Sequence, residues 1–256
     1  MKSIIPIALA TLSFLQLIAS GQNEPSAHHS SWLASYNALL ARYVSADGVD
    51  YKAWHGSKPD RKKLAEVTAA MSRENLAGKS KEDRLAFYLN AYNANILDQI
   101  LKSYPTKGPG GGGLLGRNRF FKKKSLTVAG RKTSFHLLEN EIIRPTFQEP
   151  RIHFALNCAS ASCPPLDLKA FEGRTLDTRL SALTRAFVEN NPSGVRMKNG
   201  KEVMISKIFD WYADDFKSAG GPLPYINEYR TRKLPSHLKV SFQPYHWTLN
   251  EAPKKN

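Results

Sequence analysis

The sequence predicts a single α+β domain, in which several amphipathic helices surround a small, mainly antiparallel sheet. Apolar residues recur at helical spacing in the longer segments, and shorter segments alternate apolar and polar residues as strands do. Hydrophobic residues make up 41% of the 256 residues and charged residues 23%, which is ordinary for a protein with a buried core. Internal repeats and an obvious linker are absent from the sequence, so we expect one domain over residues 31–250.

The first twenty residues are typical of a secretory signal peptide. Lys2 precedes an apolar run from Ile4 to Ile18, and small residues follow that run. The run is short for a membrane span, which makes a retained N-terminal anchor the less favoured alternative. We therefore expect residues 1–20 to be removed, residues 21–30 to be a disordered linker, and the mature protein to be exported without a membrane span. The sequence does not distinguish a periplasmic from an extracellular destination.

The most apolar helix is predicted at residues 81–103 and follows two amphipathic helices, at residues 31–43 and from Asp60 onward. A helix that is apolar on so much of its surface is normally packed on several sides. Asn90 and Asn93 lie inside it, three residues apart, so they can face the same way. We expect both amides to hold a neighbouring loop, because buried amides need partners. The alternative is that one of them orients a catalytic group or a substrate.

The rest of the chain is predicted to alternate strands, helices and loops, with a loose tail at residues 251–256. Asn199 and Gly200, between alternating apolar residues, give the strongest local hairpin signal. In chain order, we expect an extended segment at residues 49–54, a flexible glycine-rich loop at 107–116, and either a hairpin or a strand followed by a turn at 125–134. We then expect helices at 135–144, 176–188, 206–216 and 222–230, a hairpin at 195–205 and a closing strand at 240–247.

The central stretch, residues 151–166, is the candidate site. Its start alternates apolar and polar residues, which predicts a half-buried strand with His153 and Asn157 on one face. A loop of small residues follows and is expected to swing Cys163 back beside His153. Cys158 and Cys163 are the only cysteines of the sequence. In an oxidising compartment such a pair can close a small disulfide ring.

The formal net charge of +15 arises from 37 Lys and Arg against 22 Asp and Glu. Nucleic-acid binders show such a balance, and so do exported proteins that work near an anionic envelope surface. The densest basic run is Arg117 to Lys124, which we interpret as a solvated basic face, because charge alone specifies no partner. We expect no nucleic acid. The partner stays unknown, with an anionic envelope ligand as the candidate.

The sequence gives little support to a cofactor or a metal, and we expect neither. The glycine-rich loop has the glycine spacing of a phosphate-binding loop, but Arg117 and Asn118 stand where Lys and Ser or Thr are required. His136 and Glu139 lie side by side on their predicted helix. One such pair is a weak metal signal, because a metal site needs three or four ligands.

Several segments resemble the DUF547 domain, a family without an assigned function. They are FYLNAYNANIL (residues 87–97), LLENEIIR (137–144), RIHFALNCASASCPPL (151–166), SKIFDWYADDF (206–216) and YHWTLN (245–250). They run in the family's order over nearly the whole predicted mature chain. Two departures are visible: His246 stands where the family pattern has Asp, which leaves no role for a C-terminal carboxylate there, and the glycine-rich loop is an insertion outside the motifs.

The resemblance implies an α+β domain of the kind found in exported bacterial proteins, and it implies no activity. The family pattern selects polar and small residues that a hydrophobic core alone would not require. They are Asn90, Tyr92, Asn93, Glu139, Arg144, His153, Asn157, Ser162, Cys163 and Pro164.

The favoured functional hypothesis is a binding or structural module of the cell envelope. In this hypothesis Cys158 and Cys163 form a disulfide that fixes their loop, His153 bonds a backbone carbonyl and Asn157 caps a turn. An even cysteine pair after a signal peptide is more often structural than catalytic.

The alternative hypothesis is a thiol-dependent hydrolase or acyl transferase that acts on an amide, ester or thioester. Cys163 is the nucleophile and His153 its base, because a thiol needs a neighbouring base or positive charge to ionise at neutral pH. Glu139 or an asparagine (Asn157 or Asn90) orients the imidazole ring. A backbone N–H near Ser162 receives the oxyanion.

Overall fold

The computed structural model describes residues 30–253. The predicted signal peptide, the predicted linker up to residue 29 and the last three residues of the predicted tail lie outside that range. The α+β class is confirmed: helices dominate, and the strands are short and mostly antiparallel.

Most of the described chain is helical. The α-helices are α1 (Ser30–Tyr43), α2 (Tyr51–Gly56), α3 (Lys58–Arg73), α4 (Lys81–Ser103), α5 (Leu114–Asn118), α6 (Phe135–Leu137), α7 (Arg144–Phe147), α8 (Leu176–Asn190), α9 (Ile208–Trp211) and α10 (Pro222–Tyr229). Tighter 3₁₀ turns occur at Pro109–Gly112, Pro150–Phe154, Gly173–Thr175 and Ala213–Ala219, and wider π turns at Arg119–Lys123 and Leu138–Ile143.

The strands form three small sheets within residues 30–253, and not the single sheet that the sequence predicted. The strands are β1 (Val44–Ser45), β2 (Gly48–Val49), β3 (Leu126–Val128), β4 (Arg131–Thr133), β5 (Val195–Asn199), β6 (Glu202–Ile205) and β7 (Lys239–Phe242). The pairs β1–β2, β3–β4 and β5–β6 are antiparallel. β7 joins β6 in parallel and is the exception to the antiparallel pairing of the named strands in residues 30–253.

Helix α4 is the centre of the molecule and has the predicted bounds. The Ser80 side chain accepts a hydrogen bond from the Asp83 backbone N–H, which caps the first turn. Most of the helix from Leu85 to Leu101 is buried, and α3 packs along it. A helix that is covered on nearly all sides can hold polar side chains, here Asn90 and Asn93, in fixed positions.

Three local predictions are wrong for identifiable reasons. The segment expected to be extended near Trp54 is helix α2, because Asp50 accepts from the Ala53 N–H and starts a turn. Helix α3 begins at Lys58, before the predicted start at Asp60, because Ser57 caps it by accepting from the Asp60 N–H. The glycine-rich loop is ordered: Gly110 and Gly111 adopt the positive φ angles of a tight turn, and helix α5 follows it.

The strand predicted over the start of the central stretch is also wrong, because this segment is the 3₁₀ turn Pro150–Phe154. Pro150 fixes a helical φ at the first position, and the Glu149 carboxylate accepts from the Arg151 N–H. Five residues are too few for alternation to separate a strand from a tight turn. In the turn, Ile152 and Phe154 are both buried, and so is His153 between them.

The core consists of two clusters that meet at this turn. Ile152 belongs to the larger cluster, which α1, α3 and α4 dominate. Phe154 belongs to a smaller, aromatic cluster with Phe187, Phe209 and Phe216. The backbone around His153 is therefore fixed from both sides by buried apolar side chains.

Candidate functional site

A cavity of about 160 Å³ lies where the central stretch meets the C-terminal segments. A single buried water needs only about 10–15 Å³ by the same measure, so the cavity can admit a small organic group. Polar and apolar side chains share its wall. They are Tyr92, Phe121, His136, Glu139, Asn140, His153, Leu156, Cys158, Cys163, Pro164, Ile208, Trp211, Tyr212, Tyr245 and Trp247.

His153 reaches this cavity from the 3₁₀ turn, and its ring is held by two side chains. Its Nε2 lies 2.7 Å from Oδ2 of Asp215. Its ring stacks on Tyr212, with 4.0 Å between the centroids. A carboxylate can only accept, so Nε2 carries the proton and Nδ1 is the nitrogen left to act as a base. Asp215 thus takes the orienting role that the sequence analysis gave to Glu139 or an asparagine.

Arg144 fixes Asp215 in turn. Its guanidinium makes a bidentate contact with the Asp215 carboxylate, at 2.7 and 2.8 Å, and a third bond to Oδ1 of Asn140. Burial alone would raise the pKa of Asp215, but His153 and Arg144 outweigh burial and hold this pKa well below its usual range. The Asp215 carboxylate that faces the His153 ring therefore stays ionised at neutral pH.

The two cysteines lie together and are not joined by a disulfide in the structure. The backbone N–H of Cys158 points at Sγ of Cys163, at 2.9 Å. Sγ of Cys158 lies 2.8 Å from the Ser160 hydroxyl and 3.2 Å from the Tyr245 hydroxyl. Cys158 is half-buried and Cys163 is buried, and both border the cavity. The disulfide between them stays a prediction.

The surroundings make the two thiols unequal acids. Burial alone would raise the pKa of Cys158, but hydrogen bonds from Cys163, Ser160 and Tyr245 outweigh it and lower this pKa to about 7. The pKa of Cys163 is raised well above its ordinary value, first by burial and then by the neighbouring Cys158 sulfur. Cys158 is therefore the thiol that ionises first, whereas the sequence analysis chose Cys163 as the nucleophile.

Glu139 is a buried carboxylate that also lines the cavity. It lies on the π turn Leu138–Ile143, within the helical segment predicted at residues 135–144. The hydroxyl of Tyr92 donates to its Oε2 at 3.4 Å, and Tyr212 also hydrogen-bonds it. Burial first and the Glu139 charge second raise the pKa of Tyr92 and of Tyr212 well above the ordinary value, so both stay protonated donors.

The two asparagines of α4 each clamp a backbone segment by accepting from one N–H and donating to one carbonyl. Asn90 holds Phe171 in this way, at 2.8 and 2.9 Å. Asn93 accepts from the Asn157 N–H and donates to the Ala155 carbonyl, both at 2.9 Å. These contacts agree with the favoured expectation that both amides hold neighbouring loops.

Asn157 and Ser162 support the cysteine loop. The Asn157 amide donates to the Pro164 carbonyl at 2.8 Å and accepts from the Ala159 N–H at 2.9 Å. The Ser162 hydroxyl accepts from the His246 N–H at 2.9 Å. Asn157 therefore shapes the loop and does not orient His153.

The loop does not offer the backbone oxyanion site that was expected near Ser162. The Ser162 N–H donates to the His246 carbonyl at 3.3 Å, and its neighbours in the loop are likewise used within the protein. The loop N–H groups with a protein acceptor are those of Asn157, Cys158, Ala159, Ala161, Ser162 and Cys163. Side-chain hydroxyls are the donors that remain close to Cys158.

Sequence reasoning missed Asp215, Tyr245 and Ser160. Asp215 belongs to the SKIFDWYADDF segment and meets His153 across 62 residues of sequence. Tyr245 belongs to YHWTLN and meets Cys158 across 87 residues. Both segments are among those that resemble the family. The sequence therefore offers a polar residue in each segment, but it does not indicate which residue that side chain contacts.

Within residues 30–253, no group of three or more His, Cys, Asp or Glu side chains has an arrangement that could hold a metal ion. In the same part of the chain, no helix is both long and apolar enough to cross a membrane.

The fold and the cavity define a class: an α+β protein with two thiols, a histidine–aspartate pair and a buried glutamate around one small cavity. The family described as "Protein of unknown function, DUF547" matches residues 76–188. This segment belongs to that family, and it contains α4, Glu139, His153 and both cysteines. The resemblance noted from the sequence is confirmed over these residues. Neither the curated proteins nor the solved structures include a significant match to the chain.

Proposed function

We propose that the protein is a thiol-dependent acyl hydrolase or acyl transferase that acts on a small ester, thioester or amide. One observation carries this proposal: the Cys158 sulfur, with a pKa of about 7, borders the same cavity as the buried His153–Asp215 pair. A thiolate and an oriented imidazole are the two groups that acyl transfer through a cysteine requires.

The first step acylates Cys158. The thiol proton moves to Nδ1 of His153, whose ring is oriented by the hydrogen bond from Nε2 to Asp215. The thiolate attacks the acyl carbon, an S–C bond forms, and the bond from that carbon to the leaving oxygen, sulfur or nitrogen breaks. The leaving group takes the proton from His153, which becomes neutral.

The second step removes the acyl group. Neutral His153 accepts a proton from water, or from an acceptor alcohol or amine, as that molecule attacks the thioester carbon. A new C–O or C–N bond forms, the S–C bond breaks and the Cys158 thiolate returns. Water gives a hydrolase and another acceptor gives a transferase, and the same side chains serve both.

Tyr245 is the donor that we assign to the developing oxyanion. Its hydroxyl lies 3.2 Å from Sγ of Cys158. Burial and the charge of the nearby thiols raise its pKa well above the ordinary value, so it remains protonated. We assign this role to a hydroxyl because six loop N–H groups, those of Asn157, Cys158, Ala159, Ala161, Ser162 and Cys163, already bond acceptors within the protein.

A short ester tests this proposal. Reduced protein is mixed with p-nitrophenyl acetate and its intact mass is followed. We expect a mass gain of one acetyl group, located on Cys158 by peptide mapping, and p-nitrophenol release that His153→Ala slows by roughly 100-fold or more. Cys163→Ser, which keeps a hydrogen-bond donor beside Cys158, is the matched control and is expected to keep acetylation. Acetylation that persists in Cys158→Ala, or none in the parent protein, would refute the proposal.

A second candidate is the exported binding module that the sequence favoured, with an anionic ligand of the envelope. The cavity supports it through its aromatic wall, where Trp211, Tyr245 and Trp247 pack on one another with centroids 4.6–5.7 Å apart. Such a wall binds apolar or planar groups without chemistry. A ligand that binds Cys158→Ala and the parent protein equally, without turnover, would favour this candidate.

Export belongs to the second candidate and rests on the first twenty residues. Fusing residues 1–30 to a reporter that is active only outside the cytoplasm tests export directly. If the reporter stays inactive while the same reporter with an established signal peptide is active, the protein is not exported. An envelope ligand would then no longer be the expected partner.

A further inference from the structure

Two leucines project into solvent from helix α5. Leu114 is 74% exposed and Leu115 is 86% exposed, the two highest values among the large exposed hydrophobic side chains of residues 32–253. Single exposed apolar residues are common, whereas contiguous exposed apolar surface, such as two adjacent leucines provide, is a mark of interaction sites. We call residues 114–124, from this pair to the end of the basic run, the tip.

The tip is strongly basic and has no acidic counterpart nearby in sequence. Five of the eight residues from Arg117 to Lys124 are Lys or Arg, and the chain has no Asp or Glu from residue 99 to residue 138. Within residues 30–253, none of these five basic side chains forms an ion pair. The positive charge of the tip is thus not neutralised by the described part of the protein.

The tip is a fixed structure and not a loose loop. The backbones of Gly110 and Gly116 touch, and a Cβ on Gly116 would lie 1.9 Å from the Gly110 carbonyl oxygen. The Arg117 side chain bonds the Gly112 carbonyl, which closes the turn. Phe120 is buried and stacks on Phe135, which fastens the base of the tip to the core.

The tip borders the candidate site. The Arg117 guanidinium lies 4.6 Å from the centroid of Trp247, a residue of the cavity wall. Phe121, which belongs to the tip, also lines the cavity and contacts the Trp247 ring. A surface that binds the tip would therefore lie close to the cavity.

We propose that the tip docks the protein on an anionic phospholipid bilayer. Leu114 and Leu115 enter the boundary between head groups and acyl chains, and the Lys and Arg side chains from residue 117 onward bind lipid phosphates. This combination of an apolar end and a basic flank is what membrane-surface segments have. Each basic residue near such a surface strengthens binding about fivefold.

Two other occupants fit the tip less well. A second copy of this chain would bring two strongly positive tips together, and like charges repel. A nucleic acid would use the basic side chains but would leave the leucine pair in water, since phosphate recognition needs no apolar insertion. The proposal does not depend on the chemistry at Cys158.

Vesicle sedimentation tests the proposal with the protein alone. The probes are vesicles of phosphatidylcholine with and without phosphatidylglycerol, at low and at high salt. We expect binding to the anionic vesicles that weakens at high salt and is weak on neutral vesicles. Replacing both leucines (Leu114→Ser with Leu115→Ser) is expected to weaken binding about tenfold or more, as is the charge reversal Lys122→Glu with Lys123→Glu.

Matched variants separate docking through the tip from general attraction. Leu137→Ser with Leu168→Ser removes two other exposed leucines, and Lys62→Glu with Lys63→Glu changes the net charge by the same amount elsewhere. We expect both controls to bind like the parent protein. Far-ultraviolet circular dichroism is used to check that every variant is folded. The proposal is overturned if the parent ignores anionic vesicles, if the leucine variant binds like the parent, or if tip and control charge variants lose the same affinity.

Discussion

At the scale of single residues, the site combines a series of hydrogen bonds, from Arg144 through Asp215 to His153, with two thiols that border the same cavity. Arg144 holds Asp215, Asp215 holds His153, and the His153 ring lies against Tyr212. Each link fixes the geometry or the protonation state of the next. The Tyr245 hydroxyl in turn lies 3.2 Å from Sγ of Cys158 and can hydrogen-bond it.

Asp215→Asn tests the first of these links. The folded pKa of Asp215 is depressed, so its contribution to stability is present above the unfolded pKa of about 3.9 and disappears as the pH falls toward the folded value. We expect the free energy of unfolding at pH 7 to fall by about 2–4 kcal/mol in the variant. The parent protein should also lose stability as the pH falls below 4, and this loss should be smaller in the variant. Urea unfolding at several pH values measures both quantities.

The neighbouring Asp214 is the matched control. Its side chain is 78% exposed and pairs with Lys217 at the surface, where ion pairs contribute little. Asp214→Asn should unfold like the parent protein at every pH. Equal losses of stability in the two variants would mean that the contacts of Asp215 with Arg144 and His153 stabilise the fold no more than a surface ion pair does.

Tyr245→Phe tests the link to the thiol. Removing the hydroxyl takes away one donor to Cys158, so we expect the pKa of Cys158 to rise above 7 toward the ordinary value of about 8.5. The pH dependence of iodoacetamide alkylation reports this pKa. Tyr229→Phe is the control, because the Tyr229 ring contacts Tyr225 and not the cysteines. An unchanged profile in Tyr245→Phe would show that the hydroxyl does not stabilise the thiolate.

At the scale of elements, helix α4 fixes the site although none of its atoms needs to take part in chemistry. Its asparagines hold two different segments, one near Phe171 and one at Asn157, beside the cysteine loop. A helix covered on nearly all sides is a rigid support for such contacts. The two clamps are chemically alike and differ in what they hold, so each serves as the control for the other.

Asn90→Ala and Asn93→Ala should destabilise the protein to a similar extent, by about 1–3 kcal/mol, because each leaves a buried N–H and a buried carbonyl unpaired. Their effects on the cysteine loop should differ. We expect alkylation of Cys158 to change several-fold in Asn93→Ala and to stay as in the parent protein in Asn90→Ala. Equal alkylation rates in both variants would show that the Asn93 clamp does not shape the loop.

At the scale of the whole molecule, the site lies where two core clusters meet. Phe154 packs in the smaller cluster and Ile152 in the larger one, and His153 lies between them in sequence. Loss of either cluster would displace the histidine. The arrangement therefore couples the geometry of the site to the stability of the entire described chain.

Phe154→Ala tests this coupling. We expect a loss of about 3–5 kcal/mol in the free energy of unfolding, as for other buried aromatic side chains. The remaining transition should be single, with tryptophan fluorescence and far-ultraviolet circular dichroism changing together. Phe242→Ala, at a position 38% exposed, is the control and should have a small effect. Two separated transitions in Phe154→Ala would mean that the clusters unfold independently.

The sequence predicted the long helices and the hairpins well, because α4, α8 and β5–β6 have strong local periodicity or an Asn-Gly turn. It placed His153 in a strand because a five-residue run cannot separate alternation from a 3₁₀ turn. It found both cysteines and His153 through their segment and the family resemblance. Asp215 and Tyr245 escaped it because their contacts join residues far apart in the chain, and no local pattern encodes such a contact.

The most direct test of the central claim, that Cys158 is the ionised and reachable thiol of the site, is the alkylation rate of each cysteine as a function of pH. Reduced native protein is pulsed with iodoacetamide, and peptide masses assign the label. We predict that Cys158 reacts first, with a midpoint near pH 7, and that Cys163 reacts far more slowly until the protein unfolds. Faster labelling of Cys163, or labelling of Cys158 with a midpoint at or above the ordinary value of about 8.5, would contradict the account.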